Sequence, residues 1–161
     1  MSAQVRFRTA VREDVPLILQ FIKELAEYEE MADQVVSDEQ TLAEWLFDRH
    51  SAEVIFALEG EEEVGFALFF HNFSTFLGRA GIYLEDLFVR PEFRGRGYGK
   101  ALMKKLASIA VERGCGRFEW WCLDWNKPSI DFYLSLGAAP MSDWTVYRVA
   151  GDALTALAGQ E

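Results

Sequence analysis

The stretch that most restricts what this chain can fold into is Ile82-Tyr83-Leu84-Glu85-Asp86-Leu87-Phe88-Val89. It is followed by Arg94-Gly95-Arg96-Gly97-Tyr98-Gly99-Lys100 and then by Leu102, Leu106, Ile109 and Ala110 at helical spacing. An apolar run, a glycine-rich turn and a helix in immediate succession predict strand, turn, helix. Glycines at alternate positions (Gly95, Gly97, Gly99) leave backbone N–H groups clear of side chains, and the helix start adds unpaired N–H groups and the positive end of its dipole. Such a turn binds anions, phosphates above all. Two common phosphate signatures fail here. A dinucleotide fingerprint needs a sixth-place glycine, where Gly95 leads to Lys100 and Gly97 to Leu102. An ATP-type loop needs Gly-Lys-Ser/Thr, but Gly99-Lys100 is followed by Ala101 and Arg94 holds the place of the earlier glycine.

The rest of the chain supplies the elements around this unit. Val5 to Thr9 alternates apolar and basic residues and reads as a half-buried strand. Asp14 and Pro16 mark a helix start, and Val15, Ile18, Leu19, Ile22, Leu25 and Ala26 recur at helical spacing until Tyr28 to Met31 leave it. Ser37 to Gln40 has capping-box spacing ahead of Leu42, Trp45 and Leu46, a second short helix. Val54 to Leu58 and Val64 to Phe70 form a hairpin about Glu59 to Glu62, with Asn72 to Gly81 as a turn-rich connector. After the central helix, Gly114 and Gly116 flank a stop, Phe118 to Leu123 reads as a strand, and Asn126 and Pro128 open a short helix that Gly137 closes. Trp144 to Val149 is the last strand, before an amphipathic tail around Leu154 and Leu157. Hairpins mixed with crossovers predict an α/β (α+β) chain, a mixed sheet with helices packed on it, in a single domain over residues 1–161.

Charge narrows the partners. A net charge of -10 disfavours nucleic acid and anionic membranes, which need positive surface, and suits a small cationic substrate. Acidic surfaces also simply keep proteins soluble. Cys115 and Cys122 are too few for a disulfide framework or a zinc site, and His50 and His71 lie in no triad or metal pattern, so no metal is expected. Met1 to Thr9 carries no long apolar segment, so no signal peptide is read and a cytoplasmic protein is expected.

Arg94 to Gly99 resembles the Gln/Arg-x-x-Gly-x-Gly/Ala motif of the GNAT acetyltransferases, with Arg94, Gly97 and Gly99 matching place for place. Tyr83-Leu84-Glu85-Asp86, Leu123-Asp124-Trp125-Asn126, and Phe132-Tyr133 with Gly137-Ala138 extend the resemblance to the spermidine/spermine and thialysine acetyltransferase branch, as do Glu24 to Glu29 and Asp33-Gln34-Val35. The resemblance implies a mainly antiparallel twisted sheet with splayed central strands and acetyl-CoA as co-substrate, without metal. It also implies direct transfer through a ternary complex and a homodimer paired through sheets and C-terminal strands.

Acetyl transfer must bind the coenzyme, supply a neutral amine, stabilise an oxyanion and protonate a thiolate. The backbone from Gly95 through Tyr98 to Lys100 suits the pyrophosphate, and Arg94, Arg96 and Lys100 can add charge-assisted bonds, unless they form only a solvated basic cluster. The resemblance puts the acetyl carbonyl and pantetheine arm on Leu87, Phe88 and Val89, in a strand that carries a bulge and splays from the next, and adds Asn126, Ser129 and Tyr133 to the coenzyme contacts; Asn126 could equally cap its helix. An alkyl ammonium has a pKa near ~10 and must lose a proton. Glu85 and Asp86, adjacent in an apolar strand, would point to opposite faces. The resemblance gives Glu85 the base role, while Asp86 could instead make a structural contact. Tyr133 could donate the proton to the thiolate, or pack in the core beside Ile130. Acceptor recognition falls by resemblance on Tyr28, Glu29, Glu85 and Asp86, with Trp144 near the substrate slot. Ser74-Thr75-Phe76 is similar to the thialysine-type relatives. The expected activity is acetylation of a small primary amine, polyamine or thialysine-like. A protein or peptide amine as acceptor, and a noncatalytic acyl-CoA sensor on the same fold, are the competing readings.

Overall fold

The apolar runs Val54 to Leu58 and Val64 to Phe70 fold as an antiparallel hairpin, and the sheet grows outward from it. In the computed structural model, which describes residues 5–159, strands β1 (Arg6–Thr9), β2 (Glu53–Glu59), β3 (Glu62–Ser74), β4 (Arg79–Val89) and β5 (Phe118–Trp120) form one sheet in that order. Pairing is antiparallel from β1 to β4 and parallel between β4 and β5. Met1 to Gln4, part of the segment read above as lacking a signal peptide, lie outside the described residues. The chain forms two compact units, Met1–Trp121 and Cys122–Glu161, each described by itself.

In the first unit, helix α1 (Val15–Tyr28) starts on Pro16 and buries Val15, Ile18, Phe21, Leu25 and Ala26. It packs on the sheet face carrying Phe56, Phe66, Leu68 and Phe88, where the Phe21 and Phe66 rings stack at 5.1 Å between centroids. Helix α3 (Tyr98–Glu112) buries Tyr98, Leu102, Met103, Leu106 and Ala110. It lies on the opposite face, because Gly65, adjacent to Phe66 and so turned the other way, meets it: a Cβ there would sit 3.4 Å from Leu102 Cδ1 and 2.9 Å from the Phe88 carbonyl. Glycine at 65 is what lets helix and strand approach.

Three expectations change in this unit. The connector read from Asn72 to Gly81 shrinks to residues 75–78. Here β3 and β4 continue their ladder through His71↔Ile82, Asn72↔Gly81, Phe73↔Ala80 and Ser74↔Arg79, and Gly78 turns at φ +68°. Ladder hydrogen bonds outweigh the turn-forming composition. The cap of α2 (Glu39–Ala43) is Asp38: its carboxylate accepts from the Thr41 N–H at 2.8 Å, and the Thr41 hydroxyl accepts from the Asp38 N–H at 3.1 Å. The helix therefore starts one residue later than the Ser37 to Gln40 spacing predicts, and runs on as a π-helical turn, Glu44–Asp48. Strand β5 stops at Trp120 instead of Leu123.

In the second unit, α4 (Lys127–Ser135) is capped by Asn126 and closed near Gly137, and α5 (Asp152–Ala158) forms the tail. Trp144 to Val149, expected as a strand, makes no strand pairing among the described residues, and Trp144 and Tyr147 are exposed. Alternation without a partner to complete the ladder does not make a strand. Among the described residues no helix is long and apolar enough to cross a membrane, and no group of His, Cys, Asp and Glu could hold a metal ion.

Candidate active site

Strand β4 is irregular where its acidic pair sits. Leu68 registers with Asp86 and Phe69 with Leu84, so Glu85 is an extra residue with no partner of its own on β3. This is a β-bulge. Asp86 shares the α1 face with its partner Leu68, while Glu85 is the exposed bulge residue.

The bulge coincides with the point where β4 loses its other neighbour. The β4–β5 ladder covers only Ile82↔Phe118, Tyr83↔Glu119 and Leu84↔Trp120, so β5 pairs with nothing from residue 85 onward. The Ile82 N–H is turned toward β5, donating to the Arg117 carbonyl, and beyond the bulge the Arg90 N–H is turned toward β3, donating to Val64. Alternation therefore turns the N–H groups of Leu87 and Val89 toward the opened side, and that of Phe88 toward β3. Of the three residues expected to meet a carbonyl and a pantetheine amide, Leu87 and Val89 face the opening and Phe88 is committed to the ladder. Phe88 instead belongs to the buried core.

The glycine-rich turn follows. Gly95 and Gly97 adopt φ +78° and +87°, and no atom lies within 4 Å of a Cβ built on either. Gly97 is the N-cap of α3 and no side chain caps the helix there. The first-turn amides of α3 thus donate no hydrogen bond to a side chain of the N-cap residue. Backbone N–H groups, a positive dipole end and an open cradle suit the pyrophosphate of a nucleotide thioester such as acetyl-CoA, so the residues present fit that co-substrate. Lys100 is exposed beside the turn. Arg94 and Arg96 are engaged elsewhere. Arg94 Nε donates to the Val89 carbonyl at 2.9 Å, and its guanidinium lies 4.8 Å from the Tyr28 ring centroid and 5.2 Å from that of Phe88. Arg96 pairs with Glu59 at 3.1 Å. Replacing Gly97 with Val should weaken coenzyme binding at least tenfold. The strained left-handed conformation costs roughly 1–2 kcal/mol for an L-residue, and the added side chain fills the cradle. Calorimetric titration with coenzyme A checks this.

Tyr28 and Glu29 close α1. The Met31 N–H donates to Ala26 and the Glu30 N–H to Glu27, with Glu30 at φ 60°, a left-handed turn built without glycine. This cap sets where Glu29 goes, and Glu29 is close enough to bear on Asp86. Burial, then the charges of Glu85 and Glu29, push the Asp86 carboxyl up to about 7. Burial also raises Glu29, and burial with Glu85, Asp86 and Glu119 raises the Tyr83 hydroxyl further above its usual range. Glu29, Glu85 and Asp86 thus form one acidic group, with Tyr28 linked to the phosphate turn through Arg94.

Of the residues expected from the second unit, Asn126 is buried and its Oδ1 accepts from the Ser129 N–H at 3.4 Å, so it does cap α4. Tyr133 is half-buried on α4, one turn after Ser129. Trp144 is exposed and outside any strand. Sequence reasoning missed Arg90, whose guanidinium stacks 4.5 Å over Phe21 and pairs with Glu24 at 3.4 Å, anchoring the end of β4 on α1.

A sheet that opens beside an uncapped, glycine-flanked helix start is the arrangement of an acyl-transfer fold. The chain belongs to the acetyltransferase (GNAT) family, whose profile matches residues 18–138, and it is an N-acetyltransferase of that family. It is 39% identical over 170 residues to the thialysine N-epsilon-acetyltransferase of Sus scrofa, covering 98% of this chain and 99% of that protein. It is 31% identical over 198 residues to the L-ornithine N5-acetyltransferase of Arabidopsis thaliana, covering 94% of this chain and 87% of that protein. Among solved structures, an integron cassette protein from the mobile metagenome of V. cholerae superposes with a TM-score of 0.81 at 31% identity, covering 99% of this chain and 100% of the other.

Proposed function

We propose that the protein transfers the acetyl group of acetyl-CoA directly to a primary amine of a small cationic acceptor, of the thialysine or diamine kind. The observation that carries this reading is the acidic group of Glu29, Glu85 and Asp86 beside the opened edge of β4. A charged amine finds three carboxyl groups there, and an acidic chain draws cations toward it. The names of the relatives, which act on thialysine and on L-ornithine, accord with an acceptor carrying more than one amine.

In this reading the N-terminal amides of α3 hold the pyrophosphate, and the Leu87 and Val89 amides hold the pantetheine arm and polarise the acetyl carbonyl. Coenzyme A, when bound, supplies the activated thioester. Glu85, directly or through water, receives the acceptor's proton, and Tyr133 gives a proton to the leaving thiolate. Ser129 and Asn126 add coenzyme contacts, Tyr28 and Trp144 acceptor contacts. We take both units as one acetyltransferase domain, since the family profile runs across the boundary between them. A homodimer accords with the exposed aromatic residues of 144–149, and small-angle scattering at dilute concentration that fits a monomer would count against it. Cys115 and Cys122 form no disulfide among the described residues, which accords with a cytoplasmic location.

Thiol release in the presence of thialysine, ornithine, putrescine, spermidine and a histone-like peptide tests the reading. Turnover confined to the small amines supports it. Turnover of the peptide alone transfers the assignment to a protein acceptor, and silence across the panel despite coenzyme binding favours a sensor.

A further inference from the structure

We infer that Arg117 and Glu119, side by side at the start of β5, take the α-carboxylate and the α-ammonium of an amino-acid acceptor. The acceptor class is then an α-amino acid that carries its reacting amine at the end of its side chain, rather than a polyamine. This rests on the amine-acetylation reading above and assigns the end of the slot that the acidic group of β4 leaves unassigned.

The first argument is placement. The ladder fixes both residues: the Ile82 N–H donates to the Arg117 carbonyl at 3.0 Å, and Glu119 registers with Tyr83. Alternate residues of a strand share a face, so Arg117 and Glu119 stand together with Trp121. Tyr83 registers with Phe70, which shares its face with Leu68, the partner of Asp86. The bulge at Glu85 therefore puts Tyr83 and Asp86 on one face, where an unbroken strand would turn them apart. The acidic group and the Arg117–Glu119 pair become two ends of one stretch of sheet, separated by roughly 10 Å of strand. The long side chains at both ends reach into that span and leave room for the side chain of a lysine-like amino acid.

The second argument is the wall between the two ends. The rings of Phe70 and Tyr83 lie 5.1 Å apart, and Trp121 meets Tyr83 edge-on at 5.8 Å. Such a wall suits a methylene stem, and a thioether stem still better, because sulfur packs favourably against aromatic rings. Carboxylates from both ends bear on the Tyr83 hydroxyl: Glu85 and Asp86 from one, Glu119 from the other. Among the described residues that half-buried hydroxyl makes no hydrogen bond, so a ligand amine can satisfy it.

The third argument is charge. Arg8, Arg96 and Arg113 spend their terminal nitrogens on carboxylates. Arg117 approaches Glu119 through Nε, at 3.4 Å, and among the described residues no hydrogen bond engages its two terminal nitrogens. Asn72 Nδ2 donates to the same Glu119 oxygen, Oε1, at 3.2 Å, and no hydrogen bond among the described residues reaches Oε2. An open guanidinium fork binds a carboxylate in two parallel bonds, and the neighbouring carboxylate oxygen accepts from an ammonium. The pair thus complements a zwitterion. A polyamine brings no carboxylate and meets the Arg117 charge as a repulsion.

The test is kcat/KM, by thiol release, for ornithine, putrescine, δ-aminovalerate and butylamine. Putrescine lacks only the α-carboxylate of ornithine, δ-aminovalerate only its α-amine, and butylamine both. The wild type should prefer ornithine to each of the first two by at least about tenfold, chiefly in KM. Arg117→Gln should bring the ratio of ornithine to putrescine toward one, and Arg117→Lys should restore part of it. Glu119→Gln should bring the ratio of ornithine to δ-aminovalerate toward one. Putrescine used as well as ornithine by the wild type overturns the assignment, as do variants that lower all four amines by one factor, the mark of a merely structural pair. If a variant does not fold, the wild-type series still decides. Wild-type inactivity toward every amine would remove the amine-acetylation reading instead. Calorimetric titration of the coenzyme A complex with ornithine and with putrescine then decides the subsite alone: tighter binding of ornithine, lost in Arg117→Gln, supports it, and equal binding overturns it.

Discussion

Changing Tyr133 to Phe is expected to lower kcat by roughly 100- to 10,000-fold, with little change in the KM for either substrate. The loss corresponds to about 3–5 kcal/mol of transition-state stabilisation. A thiolate leaving a thioester resembles a cysteine thiolate, with a conjugate acid near pKa ~8.5, and a phenol near ~10 can protonate it as the C–S bond opens. Phenylalanine keeps the ring and removes only the donor. Tyr133 follows the capped first turn of α4, so the Asn126 bond to the Ser129 N–H holds the helix whichever residue stands at 133. Rapid-quench measurement of thiol release, with circular dichroism to show the fold intact, checks it. Turnover unaltered by the substitution would remove Tyr133 from the chemistry and leave it as packing.

The second large effect is on stability. The Asp86 carboxyl is raised from 3.8 to about 7 in the folded chain, so between these values the native state holds a proton that the unfolded state has lost. Stability therefore falls as pH rises from about 4 through about 7, and the full cost is present above that. At 1.36 kcal/mol per pH unit, about 4 kcal/mol is the upper bound. Asp86→Asn removes the charge and should stabilise the protein at pH 8 by about 2 kcal/mol, or about 4–8 °C in Tm, with no gain at pH 4.5. Thermal unfolding at the two pH values measures this. Equal destabilisation at both would mean that Asp86 makes a structural contact.

Much of this was legible beforehand because the residues that build the sheet and its two covering helices repeat at the periods of their elements. Val54 to Leu58 and Val64 to Phe70 are apolar runs about a polar turn, and α1 and α3 carry stripes that pack as read. The glycine turn was legible because Gly95 and Gly97 need positive φ and Gly97 begins a helix. The bulge was legible only through the family resemblance: Ile82 to Val89 reads as an apolar run broken by Glu85 and Asp86, and register against β3 is what shows that Glu85 is extra. Nor could the sequence say where long side chains go: Arg94 and Arg96 read as phosphate ligands, yet one stacks between Tyr28 and Phe88 and the other pairs with Glu59. Trp144 to Val149 reads as a strand because its composition is that of one, but a strand is defined by its neighbour, which composition does not supply.

The most direct test is to mix the protein with acetyl-CoA and thialysine and to determine by mass spectrometry where the acetyl group goes. The account predicts thialysine acetylated on its side-chain amine and unmodified protein throughout, including when the amine is withheld. Acetylated protein in the absence of amine, or coenzyme bound with no acetyl group transferred to any small amine, would contradict it.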